Sequence, residues 1–502
     1  MGTENNKEID KKSVGLSPRQ NILILAAALL IGCYSFFLAE RSTVLGHLGD
    51  EKLYLAVTVE FDHAVSERVL SDYHIQRILP LALVHYTIKA LPFYSFNKTD
   101  IVNVFGFYNV LLLLILAQLW FWIAGELRLN VKALWAGFIV LFFNFMVLKY
   151  IPYIQVSTDL FAYTIGLALI YYYLKNNVVG LLLSTVLGAF CWPTAVYIGT
   201  FMMMFPRRVP RDEEVSSIKV PYHLDWWLAG GICIWILLQF QFIVHGIQTG
   251  RLYQTGVFST GANRPLEEWL YLSMAIVLVY VFLVFQRLLH YSKLYRWDYW
   301  KSQLKPFCII LGGVILCGLK AFVHYAAKRQ GAFPLDYLIK NIFITGTMQP
   351  ASFLVTHTVY FGCGVGLLIF VFDRFCRIVH SYGVGLIIVT AIILGLSVHN
   401  ESRLLSNFFP IMVPFIIKAA EGYIQKWYQL IILGLLGLVG SKFWLTIHSA
   451  PWDGKILEFP GQNLFMNFGP WMTHQMYVYQ GIGVVLAVLV IYMTFFWRRA
   501  SA

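Results

Sequence analysis

DYHIQRILPLALVHYTIKAL, residues 72–91, is the stretch on which the topology of this chain turns. From Ile78 onward it is apolar enough to suggest a membrane span, yet it is short for one and carries Pro80, His85 and Lys89. Counted as a span, it inverts every later connection and puts the Lys- and Arg-rich ones outside, against the rule that such loops stay cytoplasmic. It therefore reads as a helix lying in the interface on the outer side, apolar face toward lipid and polar face toward water. The first outer loop then extends from about residue 40 to residue 101. Seven of the chain's 26 acidic residues crowd into its first part, residues 40–74, as Glu40, Asp50, Glu51, Glu60, Asp62, Glu67 and Asp72, with His47, His63 and His74 among them.

Outward from this loop the chain is an integral membrane protein by composition. Its 502 residues are 58% hydrophobic and 13% charged, about half the charge of soluble domains, and the mean hydropathy is +0.65. Apolar runs recur at lengths near the 20 or so residues that cross a bilayer as helix, and strand-like alternation is absent. The fold class expected is an all-α polytopic membrane protein with about fourteen spans, at residues 21–39, 102–124, 133–150, 160–174, 178–190, 193–205, 226–244, 269–285, 307–323, 355–372, 383–398, 404–417, 430–445 and 478–497. The short runs 178–190 and 193–205 also read as one broken or re-entrant pair.

The formal charge of +12 reads through loop asymmetry rather than as a nucleic-acid footprint. Basic connections, such as the Arg128/Lys132 turn, the loops 207–211 and 287–305, the Arg374/Arg377 turn and the turn 418–426, fall on one side. Both termini then lie in the cytoplasm. Residues 1–20 form a cytoplasmic tail, 21–206 a first transmembrane module, and 207–502 a second one with outer loops 245–268, 324–354 and 448–477. The run 21–39 lacks a small-residue cleavage site and reads as an anchor rather than a signal peptide. All seven cysteines sit in or beside apolar runs without metal spacing, as small core residues. The short loops and lack of a soluble extension point to a bacterial cytoplasmic membrane.

Several groups carry possible chemistry. Asp50-Glu51 can act as a general base or hold a metal ion, or Asp50 can simply cap a solvated helix. Glu60, Asp62 and His63 offer oxygen and imidazole donors to a divalent cation (Mg or Mn) or a sugar, though no metal signature is matched and solvated loop charge is the plain alternative. Arg77 can pair with a carboxylate or bind a phosphate bidentately. Asp159 opens a span, as a helix-terminal charge or as an acid facing the first loop. Lys320, His324 and Lys328 recur at four-residue spacing on one helix face, suited to phosphate or to snorkelling toward lipid headgroups. His399, Glu401 and Arg403 crowd a short turn between two spans, where they contact a headgroup or pair with each other. Aromatic residues such as Tyr54, Phe61, Tyr73, Trp452 and Trp471 can stack on sugar rings or belong to the interfacial belt.

A first span, then a long acidic outer loop with an interfacial helix, then many spans with short cytoplasmic turns, resembles the GT-C superfamily of integral-membrane glycosyltransferases. The residues that carry the resemblance are Asp50-Glu51, the segment 72–91 and Asp159, within residues 21–206. It implies a polyprenyl-linked sugar donor, a glycan, lipid or protein acceptor, and transfer on the extracytoplasmic face. Asp50 then takes the role of catalytic carboxylate, Glu51 that of backup or metal ligand, and Lys320, His324, Lys328 and Arg403 face the leaving phosphate. The competing functions are a polysaccharide polymerase or ligase acting on lipid-pyrophosphate-linked glycans, a transporter, and a non-catalytic lipid-binding scaffold.

Overall fold

A backbone in an apolar medium must satisfy its own polar groups, and this chain does so with helices throughout. The computed structural model describes residues 16–42, 50–208, 224–249, 267–291, 300–301, 303–328, 335–447, 464–467 and 469–497, and no β-strand element occurs among them. The tail 1–15, Gly49, Arg211, Arg329, Trp452 and the greater part of the outer loops 245–268 and 448–477 lie outside the described residues.

Among the described residues, six helices are long and apolar enough to cross a membrane: Pro18–Leu38, Lys98–Glu126, Leu224–Gly246, Leu270–His290, Pro306–Ala326 and His474–Phe495. The shortest of these, at 21 residues, extends about 32 Å. Two bent pairs raise the number to eight if each counts as one span. In the first, Val131–Phe142 and Met146–Tyr153 meet at 50°. Asn144 causes the break: its side chain donates to the Val140 and Leu141 carbonyls and accepts from the Val147 N–H, displacing the helical ladder. In the second, Ser352–Phe361 and Cys363–Ser381 turn through 118° at Gly362, whose φ of +70° a side chain would resist.

The remaining apolar runs form helices too short for a straight crossing. Asp159–Leu174, Val178–Ala189, Ala195–Met204, Val384–Leu396, Phe409–Ala420 and Trp427–Gly440 have 10 to 16 residues, or about 15–24 Å. Six to eight of the fourteen expected spans therefore have spanning length. The apolar runs are interrupted by residues that start helices, such as the Asn177 cap and Pro410 in the first turn of its helix.

The segment 72–91 forms two helices, Asp72–Ile75 and Ile78–Ala90. Arg77 breaks them apart with non-helical dihedrals, and Pro80 is tolerated in the first turn of the second. The buried face of that second helix, with Leu81, Val84 and Ile88, packs on Tyr54, Phe61 and Phe105. This corrects the expectation of an apolar face turned to lipid, because the helices Glu51–Val59 and Phe61–Ser66 supply a protein partner for it.

The basic connections gather at one end of the bundle. Lys175 pairs with Glu126, the Asn130 N–H donates to Glu421 at 2.8 Å, Lys132 reaches the Gln425 carbonyl and Arg207 the Leu174 carbonyl. Asp50, Asp159 and Arg403 come together elsewhere, where the Asp159–Leu174 helix begins.

Candidate functional site

The helix Glu51–Val59 begins at Asp50, whose backbone carbonyl accepts the first helical N–H groups while its side chain makes no capping bond. The carboxylate instead accepts from the Tyr73 hydroxyl at 3.2 Å and lies 3.5 Å from an Arg403 terminal nitrogen. A solvated cap would not reach across to residues brought from the far end of the sequence.

Arg403 lies on a single 3-10 turn, Ser402–Leu405, between two short apolar helices. Its Nε donates to Asp159 Oδ1 at 3.2 Å and a terminal nitrogen to Oδ2 at 3.3 Å, a two-point clamp on a carboxylate that is fully buried. Asp159 also accepts from Ser406 at 3.4 Å and from Tyr150 at 3.4 Å. Burial disfavours the Arg403 charge, but Asp159, Tyr150, Asp50 and Glu401 more than offset it and hold the guanidinium protonated.

Glu401 stands two residues before Arg403. Burial, opposed by Arg403 and reinforced by Asp50 and Asp159, pushes its carboxyl up to about 7. Gly469, at a φ of +146°, lies against it, so close that a side-chain carbon there would stand 3.2 Å from the Glu401 Cα. The turn is fixed from below. The Glu401 N–H donates to His399 Nδ1 at 3.0 Å, and His357 contacts Ser402 Oγ at 2.9 Å and the Ser397 carbonyl at 2.8 Å. Buried His399 has its imidazole pushed down to about 3 by desolvation and then by His357, so it stays neutral and positions Glu401 rather than meeting solvent.

Arg77 joins the same neighbourhood. Its guanidinium is buried, 3.8 Å from the Tyr73 ring and 4.7 Å from that of Trp192. Its Nε and the buried Tyr54 hydroxyl have no hydrogen-bond partner among the described residues. Burial, with Arg77 opposing and Asp50 adding, pushes the Tyr73 phenol up to about 12, so it remains a donor to Asp50.

The other expected groups lie apart. Glu51 is buried beneath the start of its helix. Asp62 takes Lys89 at 2.7 Å, Tyr86 at 3.1 Å and His85 at 3.4 Å on an exposed surface; Glu60 and His63 line the hollow of about 480 Å³ beside it. Among the described residues no three His, Cys, Asp or Glu side chains are grouped to hold a metal ion. The donors proposed for Mg or Mn fit one poorly, since Asp50 already faces Arg403 and Asp62 already faces Lys89. Lys320 stands 4.8 Å from the Tyr197 ring, and His324 and Lys328 are exposed. The expected single face is not formed, because the helix Pro306–Ala326 ends two residues before Lys328 and Ala327 is extended; this end docks on the first loop through Lys328 N–H to the Leu70 carbonyl and Arg68 to Tyr325, beside Asp72–Ile75. Those bonds do not run through Asp50, Asp159 or Arg403.

Tyr150, Ser406 and His357 were not legible as partners, being among many Tyr, Ser and His of an apolar chain. The spacing of Arg403 and Ser406, one helical turn apart, is the signal that points to a shared face. No family model matches the chain, and neither a curated protein nor a solved structure matches it.

Proposed function

We propose that the protein is a GT-C-like glycosyltransferase of a bacterial cytoplasmic membrane, moving a sugar from a polyprenyl-linked donor to a glycan, lipid or protein acceptor on the outer face. In this reading the fourteen helical segments alternate across the bilayer, both termini are cytoplasmic, and the first loop is outside. The observation that carries it is the meeting of Asp50 with Asp159 and Arg403 from remote parts of the chain. Asp50 keeps 33% of its side chain exposed while Asp159 is sealed, so an acceptor hydroxyl can reach only the first of these two carboxylates.

The chemistry follows from that asymmetry. The acceptor oxygen bonds to the anomeric carbon, the bond from that carbon to the donor phosphate oxygen breaks, and Asp50 takes the hydroxyl proton. The lipid phosphate or pyrophosphate leaves as an anion. Once Asp50 is neutral, Arg403 keeps its clamp on Asp159 but loses a second negative neighbour, and its charge turns to the leaving oxygen. Arg77 adds a second guanidinium there. Glu401, with a carboxyl near 7, stays largely protonated in acid and avoids a third negative charge beside the leaving anion. No step requires a divalent cation.

The test is transfer of labelled sugar by the purified protein in nanodiscs, offered a panel of polyprenyl-phosphate and polyprenyl-pyrophosphate sugars. Wild type is expected to use at least one donor, and Asp50→Asn to lose roughly 10²–10⁴ of that rate with unchanged melting. Full activity of Asp50→Asn removes Asp50 from the mechanism. Polymer formation from lipid-pyrophosphate glycans instead assigns the site to a polymerase or ligase. The 118° break at Gly362 favours a transporter as second reading, since broken helices line carrier sites, and flux without a new glycosidic bond decides for it.

A further inference from the structure

Asp50 is the N-cap of the helix Glu51–Val59, and one side of that helix continues from it into a groove. Leu53 and Val57 line the groove, and so does Glu60 at the C-cap, so this wall runs over about 15 Å from Asp50. Leu70, Ser71 and His74 make the opposite wall. The leucines and Val57 give the groove an apolar floor, while Glu60, Ser71 and His74 give it a polar rim. Its near end joins the site, because Tyr73, next to His74, donates to Asp50 at 3.2 Å.

The His74 ring is fixed at an unusual expense to its own helix. Ser71 is the N-cap of Asp72–Ile75, yet its hydroxyl makes no capping bond and instead shares a hydrogen bond of 2.7 Å with His74 Nδ1. That leaves Nε2 without a hydrogen-bond partner among the described residues. Burial holds the imidazole below its ordinary value, against the pull of Asp50 and with Arg77 adding, so the ring is a neutral hydrogen-bonding group.

We propose that this groove binds an uncharged saccharide and presents one of its hydroxyls to Asp50. The inference rests on the transferase reading, which allows a glycan, a lipid or a protein as acceptor; the groove decides among the three. None of its lining residues belongs to a helix of spanning length, so an acyl chain would have to leave the bilayer to enter it. Its rim offers an extended peptide no strand edge, since the Val69 N–H already donates to the Ala64 carbonyl and the Leu70 carbonyl accepts from the Lys328 N–H. An apolar floor beneath hydrogen-bonding groups suits a pyranose ring, which has a C–H face and a hydroxyl edge. Glu60 stands on the rim and no Lys or Arg lines the groove among the described residues, which disfavours a uronate or a phosphorylated sugar.

The test is saturation-transfer NMR on the full protein in nanodiscs, without donor lipid. Cellobiose, mannobiose, galactobiose and diacetylchitobiose are titrated, with digalacturonate and trialanine as the charged and peptide probes. At least one neutral disaccharide is expected to bind, and neither of the other two probes. His74→Ala is expected to weaken that binding about tenfold, the worth of one hydrogen bond. Ala56→Phe, which adds a ring at an exposed position lining the groove, is expected to abolish binding and spare melting. Binding of no neutral disaccharide, binding unchanged in both variants, or equal binding of digalacturonate or trialanine overturns the proposal, whatever the protein transfers. Disaccharide binding that both variants weaken, in a protein that adds sugar to no bound disaccharide, upholds the groove and fails the transferase reading.

Discussion

Asp50 and Asp62 belong to the same short acidic stretch, each with a cation and a tyrosine beside it, and they behave differently. Asp62 pairs with Lys89 and Tyr86, residues of its own loop, with half its surface in water. Asp50 pairs with Tyr73 from that loop but also with Arg403, which is itself clamped on a sealed Asp159. A local, solvated pair is screened and weak, whereas a convergent one in low dielectric is strong and costly to break. Chemistry belongs to the second kind.

The sharpest way to break this comparison is to remove the clamp. Arg403→Ala leaves Asp159 buried without its cation, and a loss of about 3–5 kcal/mol is expected, read as a large drop in detergent melting temperature. The double variant Asp159→Asn/Arg403→Gln removes both charges and should recover much of that stability. If Arg403→Ala melts like wild type, Asp159 and Arg403 are no more coupled than a surface pair. Second in size is the difference between Asp50→Asn and Asp62→Asn in sugar transfer: a loss of roughly 10²–10⁴ for the first against less than about twofold for the second. Equal losses would erase the distinction between the two ends of the loop.

These contrasts were partly legible in the sequence. Asp50, Asp159, Glu401 and Arg403 each stood out as charges at the edges of apolar runs, because ionisable groups are scarce in such a chain. Their meeting was not legible, since it depends on how the turn at residues 399–406 folds across the start of the Asp159–Leu174 helix, and on His357 and His399 holding that turn. Four-residue spacing puts Lys320, His324 and Lys328 on one helix face, but the helix stops at Ala326 and extended backbone at Ala327 carries Lys328 off that face. Helix content followed from composition. Helix length did not, because one Asn144 or one Gly362 breaks a run that hydropathy averages over.

A third prediction concerns Glu401, whose carboxyl is raised from 4.5 to about 7 by burial. The folded state then binds a proton that the unfolded state releases above 4.5. The slope of stability with pH follows protons bound by the unfolded state minus those bound by the folded one, so it is negative here. This contribution is present in full below pH 4.5 and is lost as pH rises through 7. Glu401→Gln should flatten the pH dependence of melting between those limits and make the protein more stable than wild type at pH 8. An unaltered profile would mean that Glu401 is solvated like Asp62.

The smallest effect is expected at the Asp62 end, and it sharpens the comparison most. Lys89 and the Tyr86 hydroxyl hold the Asp62 carboxyl below its ordinary range by direct hydrogen bonds. Water competes for every one of those bonds, so Lys89→Ala should leave melting unchanged within error and transfer within about twofold. Raising salt should likewise leave the Asp159–Arg403 clamp intact, because the Asp159 carboxylate is fully buried and a buried pair is screened little. If Lys89→Ala instead lowered transfer as Asp50→Asn does, the reactive acid would have to be sought in the Asp62 hollow, beside Glu60 and His63. The convergence at Arg403 would then be a structural lock, and the two ends of the loop would exchange their roles.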